Sequence, residues 1–191
     1  MPMDGLTLGF AAREINSCIA GGRIDKITQP EKDAIVLLVR AESTNYKLLL
    51  CASPNNARLH FTNQNFSNPL EPPMFCMLLR KLLLGGRIAG VRQIGGDRVI
   101  HIDIDTVDEM GDHVLRRLIL EIMGRHSNLI LLDQEGRIID CLRRVDTDMS
   151  LQRQVLPGLF YEQPAATDRL PITEETEEGF RGKIADGSPE R

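Results

Sequence analysis

The chain carries the four-residue sequence Gly-Gly-Arg-Ile twice, at residues 21–24 and 85–88. Each copy follows a segment with helical character and precedes a series of short alternating segments. A strongly aliphatic run comes later in both halves, as Leu-Leu-Leu at 48–50 and as Leu-Ile-Leu at 118–120. The order and the similar spacing of these features indicate an internal duplication of one helix-plus-meander unit, with insertions in the second copy.

Two segments have the apolar spacing and the end signals of helices with one buried face. In residues 6–19, apolar side chains recur every three or four positions, Asp4 is a suitable N-cap, and Gly21 and Gly22 end the helix. Residues 74–84 have high helix propensity, follow Pro72 and Pro73, and also end in a Gly-Gly pair. We therefore expect one helix at the start of each repeated unit.

The other segments of both units alternate between apolar and polar residues and are separated by turn-forming sequences, the pattern of an antiparallel meander. The expected strands are residues 23–29, 34–40, 47–51, 58–61, 87–94, 98–105, 114–122, 128–132 and 137–144. Two such units can pack their sheets face to face with a helix beside each. The expected fold is α+β, with duplicated helix-plus-antiparallel-meander units that form a two-layer β-sandwich with flanking helices.

The composition is that of a soluble globular protein, with 42% hydrophobic and 26% charged residues. The sequence shows neither an apolar run long enough for a membrane span nor the features of a signal peptide. Cys18, Cys51, Cys76 and Cys141 are scattered, without the clustering of a disulfide framework or a zinc site. These observations predict a cytoplasmic protein with reduced thiols, no membrane partner, and no bound metal or cofactor.

The net charge of −4 is carried by the C-terminal part of the chain. Residues 1–160 hold 19 Lys and Arg against 19 Asp and Glu, whereas residues 161–191 hold 4 basic and 8 acidic residues. From residue 164 the chain is rich in Pro, Glu and Gly and loses periodicity. We expect one domain at 1–163 and an acidic linker or disordered tail at 164–191, where a larger protein would continue. Because a neutral domain can present a local basic surface, the net charge does not exclude RNA binding.

Two polar segments interrupt apolar regions and are candidates for ligand binding. Asp97 and Arg98 follow two glycines at the tip of a predicted hairpin, where an arginine can bind phosphate bidentately and an aspartate can accept a hydrogen bond from a ribose. Arg125, His126 and Asn128 stand within four residues between two aliphatic strands and offer donors for phosphate, sugar and base edges. On spacing alone, an ordinary hairpin turn and a polar strand connection remain open as alternatives.

Common enzyme motifs are missing from the sequence, including the phosphate-binding loop, the dinucleotide fingerprint and the Gly-x-Ser-x-Gly elbow. His126 and Ser127 are adjacent and lack a third orienting group, so nucleophilic catalysis is not indicated. Asp103 and Asp105 alternate with isoleucines and are expected on the solvent-facing side of a half-buried strand. We therefore expect a binding protein without catalytic residues.

Five segments of the chain carry recognisable motifs: residues 3–8, 21–27, 68–81, 121–128, and 156–158 followed by Tyr161. Together they resemble the N-terminal domain (NFACT-N) of the RqcH/NEMF/FbpA ribosome quality-control family. The resemblance implies a factor that binds the large ribosomal subunit with an obstructed nascent chain. It also implies recruitment of tRNA, alanyl-tRNA in bacteria, for C-terminal tailing of that chain. In this family an Asp-Arg pair matching Asp97 and Arg98, and an early acidic residue matching Asp4, are implicated in tRNA engagement.

Two other interpretations follow from the same resemblance. The family is similar in fold to the N-terminal domain of formamidopyrimidine-DNA glycosylases, and the amine of Pro2, exposed after removal of Met1, could serve as the Schiff-base nucleophile of a glycosylase/lyase. However, Met3 stands where those enzymes carry a glutamate, and their zinc finger is absent from this sequence. The family's older name reflects fibronectin binding, which opens the third interpretation, an adhesin, although the sequence shows no export signal.

Overall fold

The computed structural model describes residues 3–147, 149 and 153–164, and it confirms both predicted helices. Helix α1 spans Gly5–Ile19 and helix α2 spans Met74–Leu83, each close to its predicted bounds. Asp4 is the N-cap of α1, as expected, and the apolar stripe that includes Leu8 and Ile15 forms the buried face. Neither helix of the described residues has the length and apolar character needed to cross a membrane.

Nine strands correspond to the nine predicted ones. They are β1 Arg23–Glu31, β2 Ala34–Ala41, β3 Thr44–Cys51, β4 Arg58–Phe61, β5 Arg87–Gln93, β6 Val99–Val107, β7 His113–Glu121, β8 Asn128–Leu132 and β9 Ile138–Cys141. They form one antiparallel sheet in the order β4-β3-β2-β1-β5-β6-β7-β8-β9. The α+β class and the two meanders are confirmed, but the meanders are hydrogen-bonded into one sheet instead of forming two separate sheets.

The two Gly-Gly-Arg-Ile segments make the junction between the meanders, where Arg23 of β1 pairs with Arg87 of β5. Their backbones exchange four hydrogen bonds reciprocally. From donor N–H to acceptor carbonyl, these are Gly21 to Ile88 (2.7 Å), Gly85 to Ile24 (2.8 Å), Ile24 to Gly86 (2.9 Å) and Ile88 to Gly22 (2.9 Å). The duplicated sequence therefore forms a local pseudo-two-fold contact, which explains why the two meanders share one sheet.

Both glycines of each repeat are required by this junction, for different reasons. Gly21 and Gly85 have φ of 78° and 82°, the left-handed conformation that ends each helix. A Cβ at Gly22 would lie 2.8 Å from Val39 Cγ1, and a Cβ at Gly86 would lie 2.9 Å from Ile104 Cγ2. The second glycine of each pair thus allows the helix end to contact the neighbouring strands.

One hydrophobic core contains the inward-facing residues of both meanders and the buried sides of both helices. Leu37 and Leu48 from the first meander, and Ile102 and Leu118 from the second, are fully buried in it. Burying one such side chain contributes about 1.5–3 kcal/mol. The two halves of the sheet therefore stabilise each other through a shared core as well as through their junction.

The outer face of the second meander is covered by segment 153–164. Val155 packs in a second cluster with Val99, Ile119 and Ile130, and the Tyr161 N–H donates to the Gly136 carbonyl at 2.9 Å. This contact was not predicted, because the segment has no strand periodicity. The predicted tail lies, from residue 165 onward, outside the described residues, and the boundary at 163/164 stays a prediction.

Candidate RNA-binding surface

Asp4 lies at the N-terminus of α1, where the first backbone N–H groups of a helix have no intrahelical partners. Its Oδ1 accepts a hydrogen bond from the Thr7 N–H at 2.8 Å, and its Oδ2 accepts one from the Thr7 hydroxyl at 2.9 Å. These bonds, the backbone one above all, lower the pKa of the carboxyl group. Asp4 is exposed, so its carboxylate caps the helix and also presents acceptors to solvent.

Gln93 connects the N-terminus of α1 to the β5–β6 hairpin. Its Nε2 donates to the Gly5 carbonyl at 2.7 Å and to the Asp97 carbonyl at 2.8 Å. A Cβ at Gly5 would lie 2.8 Å from the Gly96 carbonyl oxygen, and a Cβ at Gly9 would overlap Gln93 Oε1. The glycines of α1 therefore allow the hairpin to lie directly against the helix, beside Asp4.

The tip of the hairpin contains Asp97 and Arg98, as the sequence predicted. Gly95 and Gly96 turn the chain with φ of 56° and 71°. The Asp97 N–H then donates to the Ile94 carbonyl at 2.9 Å, which closes the turn. Arg98 is exposed and Asp97 is partly buried, so the hairpin presents a cation to solvent.

The connection between β7 and β8 lies next to this tip. The Ile122 N–H donates to the Arg98 carbonyl at 2.8 Å, and the Ser127 hydroxyl accepts a hydrogen bond from the Met123 N–H at 2.9 Å. A one-turn 3₁₀ helix, Gly124–His126, which was not predicted, carries the exposed Arg125 and His126. Arg125 Nε donates to His126 Nε2 at 3.0 Å, so the two side chains form one exposed polar group.

Asn128 requires a correction, because it is buried and its side chain is only 2% exposed. Its Nδ2 donates to the Arg143 carbonyl at 2.8 Å, and its Oδ1 accepts from the N–H groups of Arg143 (3.0 Å) and Leu129 (2.9 Å). The Asn128 amide therefore holds Arg143, in the chain after β9, against the start of β8. Asn128 positions the loop and does not present its side chain to a ligand.

Arg143 links the same loop to the first meander. Its Nη2 lies 2.8 Å from Asp33 Oδ1, in the turn between β1 and β2. Its Nη1 donates to the carbonyls of Arg125 and Ser127, both at 3.4 Å. The loop that carries Arg125 and His126 is thus held from both halves of the molecule.

A buried ionic cluster, not predicted from the sequence, lies at the end of β7 immediately before this loop. Glu121 is 1% exposed, and both of its oxygens accept from Arg153, at 2.6 and 3.0 Å. The Tyr161 hydroxyl donates to the same carboxylate at 2.7 Å. Burial, together with the negative charge of Glu121, raises the pKa of Tyr161. The cluster attaches segment 153–164 to the strand from which the loop begins.

His101 and Asp103 lie nearby on β6. Asp103 is buried and forms ion pairs with Arg92 (2.7 Å) and Arg117 (2.6 Å), so the expectation that it faces solvent was wrong. Burial opposes its ionisation, but the hydrogen bond and charge of Arg117, aided by Arg92, keep the pKa of Asp103 low. His101 is 5% exposed, and neither of its ring nitrogens has a hydrogen-bond partner. Burial, reinforced by Arg117 and Arg92, lowers the pKa of His101 to about 4.

The structure brings five of the six predicted residues to one end of the molecule. We call them the tip surface: Asp4, Asp97, Arg98, Arg125 and His126. The hydrogen bonds of Gln93 connect the helix end to the hairpin, and the bond between Ile122 and Arg98 connects the hairpin to the loop. Within the described residues, His, Cys, Asp and Glu side chains form no group of three or more that could hold a metal ion.

Comparisons with known proteins identify the family. Residues 4–191 match the family described as NFACT N-terminal and middle domains. The Rqc2 homolog RqcH of Bacillus subtilis is 46% identical over 179 residues, covering 93% of this chain and 31% of that protein. The chain thus spans about a third of the length of this relative.

Solved structures agree with this match. The N-terminal part of the fibronectin/fibrinogen-binding protein of Streptococcus suis has a TM-score of 0.90 at 37% identity, over 97% of this chain and 70% of that one. The N-terminal domain of the fibronectin-binding protein PavA of Streptococcus pneumoniae has a TM-score of 0.89 at 34% identity, over 97% and 73%. The chain therefore belongs to the family of NFACT N-terminal and middle domains.

Proposed function

We propose that this domain contacts tRNA through the tip surface, as part of a ribosome quality-control factor. The observation that carries the proposal is that three separate segments, all with polar side chains, meet at one end of a rigid sheet. The name of two mammalian relatives, ribosome quality control complex subunit NEMF, supports the ribosomal setting. The family and the absence of common enzyme motifs in the sequence support a binding role without catalysis by this domain.

The chemistry of the tip surface suits recognition of a folded RNA. The guanidinium groups of Arg98 and Arg125 can each bind phosphate oxygens bidentately. The carboxylates of Asp4 and Asp97 can accept hydrogen bonds from 2′-hydroxyl groups, which distinguish RNA from DNA. The two positive charges of Arg98 and Arg125 balance the two negative charges of Asp4 and Asp97. Binding here therefore depends more on the match between each side chain and its partner group on the RNA than on overall attraction to the phosphate backbone.

For the whole protein, we propose association with a large ribosomal subunit that carries an obstructed nascent chain. There the protein would recruit tRNA, alanyl-tRNA in bacteria, for C-terminal tailing, while the ribosome forms the peptide bonds. Because this chain spans about a third of its RqcH relatives, tailing is expected to require segments beyond it.

The direct test is tRNA binding by the 191-residue chain, measured as fluorescence anisotropy of a labelled tRNA. Arg98→Ala is expected to weaken binding about tenfold, because it removes a charge-assisted hydrogen bond. It should also reduce the slope of log affinity against log salt by about 0.7–0.9, because the protein then neutralises one phosphate fewer. Arg125→Ala should act in the same way.

The control is Lys81→Ala, which removes an exposed cation on α2 that pairs with Glu109. A folded Arg98→Ala variant with unchanged affinity and salt slope would contradict the proposal.

Fibronectin binding is a second candidate, favoured by the names of the two solved neighbours. It can be tested with immobilised fibronectin and the same variants. Saturable binding that Arg98→Ala leaves unchanged would indicate a separate adhesive surface.

The glycosylase interpretation rests on Met1 and Pro2, which lie outside the described residues. The fold similarity to formamidopyrimidine-DNA glycosylases stays a prediction. Borohydride trapping on DNA with an abasic site, compared between the wild type and Pro2→Gly, tests the activity.

A further inference from the structure

Helix α1, which begins at Asp4 of the tip surface, presents an exposed aromatic side chain on its second turn. Phe10 is 58% exposed, although a phenylalanine usually contributes to a core. Leu6, one turn earlier, is also exposed. The guanidinium carbon of Arg13 lies 4.9 Å from the centre of the Phe10 ring. An arginine in this position orients the ring through a cation–π contact and leaves more than half of the side chain accessible.

The position of Phe10 follows from helix geometry and from the contacts of the two glycines in α1. Gly5 and Gly9 face the hairpin, and a Cβ at Gly5 would lie 4.0 Å from Arg98 Cγ. Phe10 is one residue, or about 100° of helix rotation, from Gly9, so its side chain emerges on the solvent side of this contact. Leu6 and Arg13 lie on the same side of α1, whereas Glu14 lies farther from the hairpin around the helix.

We infer that Phe10 is a stacking platform for an unpaired nucleobase of the RNA bound at the tip surface; this inference rests on the proposed function. Single-stranded RNA is recognised mainly by stacking of unstacked bases on aromatic side chains. Phe10 supplies such a face on the helix whose first turn contacts Arg98, at Gly5. Arg98 can hold a phosphate of the same RNA. Leu6 extends the apolar surface under the base. Arg13 adds a cation that lies over the Phe10 ring.

The chain contains a matched control for this inference. Phe160 is 54% exposed, and the guanidinium carbon of Arg137 lies 4.2 Å from its ring centre. Phe160 pairs with Arg137 at the turn between β8 and β9, at the opposite end of β8 from the Arg125 loop. The two Phe–Arg pairs are similar in exposure and chemistry and differ in their distance from the tip surface.

The test measures affinity and stacking separately, with tRNA transcripts that carry 2-aminopurine at one adenine of each single-stranded loop in turn. Anisotropy reports binding, and 2-aminopurine fluorescence reports the stacking of that base. Phe10→Ala is expected to weaken binding about 5- to 150-fold, the range for removal of one base–aromatic stack. It should leave the salt dependence unchanged and remove the fluorescence change at one loop position. Phe10→Trp should restore both signals, and Phe160→Ala should alter neither.

The possible failures are distinguishable. If the wild type binds tRNA and Arg98→Ala weakens binding, but Phe10→Ala leaves affinity and fluorescence unchanged, the stacking inference is overturned and the proposed function stands. Equal reductions in affinity for Phe10→Ala and Phe160→Ala would also overturn it, because the effect would then not depend on position. If the wild type does not bind tRNA, both proposals fail together.

Discussion

The Ile122 N–H donates to the Arg98 carbonyl at 2.8 Å, one residue beyond the last strand pair of β6 and β7, Val99 with Glu121. This bond continues the sheet into the two polar connections, so the hairpin tip and the Arg125 loop are joined directly through the backbone. A bound RNA would therefore meet donors that are already positioned, which reduces the entropy cost of binding.

The contact between α1 and the hairpin can be tested with Gly5→Ala. The new Cβ would lie 2.8 Å from the backbone oxygen of Gly96, so the hairpin tip must move away from the helix. We expect faster amide hydrogen exchange at residues 95–98 and several-fold weaker tRNA binding, with the global unfolding free energy changed by less than about 1 kcal/mol. The control is Gly90→Ala, whose Cβ would meet Asn16 Oδ1 at an ordinary 3.7 Å. Unchanged amide hydrogen exchange at residues 95–98 would show that the contact with α1 does not position the hairpin tip.

The positioning role of Asn128 predicts a decrease in stability on substitution. Asn128→Ala removes both hydrogen bonds to the backbone of Arg143 and leaves buried groups without a partner. We expect the free energy of unfolding, measured with urea, to fall by about 2–3 kcal/mol. Asn45→Ala, at an exposed position of β3, should change it by less than about 0.5 kcal/mol. Equal effects of the two substitutions would rule out the proposed role of the Asn128 amide.

The buried ionic cluster predicts a stronger effect at Glu121. Glu121→Gln removes the negative charge that both Arg153 and Tyr161 contact, and we expect the free energy of unfolding to fall by about 2–4 kcal/mol. Glu135→Gln is the matched control, because Glu135 forms an exposed 3.7 Å pair with Arg137. That pair should contribute less than about 1 kcal/mol. Thermal unfolding of both variants compares the two losses of stability. A decrease for Glu121→Gln as small as that for Glu135→Gln would contradict a stabilising role of the cluster.

His101 predicts a pH dependence of stability. The unfolded chain binds a proton at the ordinary pKa of 6.5, whereas the folded protein resists protonation until about pH 4. The unfolding free energy should therefore fall as the pH is lowered from about 6.5 to 4, by at most about 3 kcal/mol. His101→Phe keeps an aromatic ring without a titrating group, so its unfolding free energy should fall less over this range. If the unfolding free energies of the wild type and the variant fall in parallel with pH, His101 is not the source of the pH dependence.

The sequence was sufficient for the two α-helices and the nine strands because their signals are local. Gly21 and Gly85 end the helices, and apolar segments between turn-forming sequences mark the strands, with alternation in some and an almost continuous apolar run in β8. The exposure of Arg98, Arg125 and His126 followed from their place in glycine-containing connections. These features depend on neighbours within a few residues.

The features that were missed depend on distant residues. Asn128 is buried because Arg143 supplies backbone partners fifteen positions later, and Glu121 is buried because Arg153 and Tyr161 cover it. Asp103 was expected to face solvent, but Arg92 and Arg117 enclose it. Alternation along one strand cannot show that a charged side chain has a partner on the neighbouring strands.

The reciprocal hydrogen bonds between the two Gly-Gly-Arg-Ile segments have the form of an isologous interface, in which the same residues occur on both sides of an axis. A single ancestral unit could have made this contact with a second copy of itself as a homodimer. Joining two copies in one chain would free each to change independently, and the Asp97–Arg98 hairpin and the Arg125 loop both belong to the second copy. The asymmetry of the present domain is thus compatible with a symmetric origin.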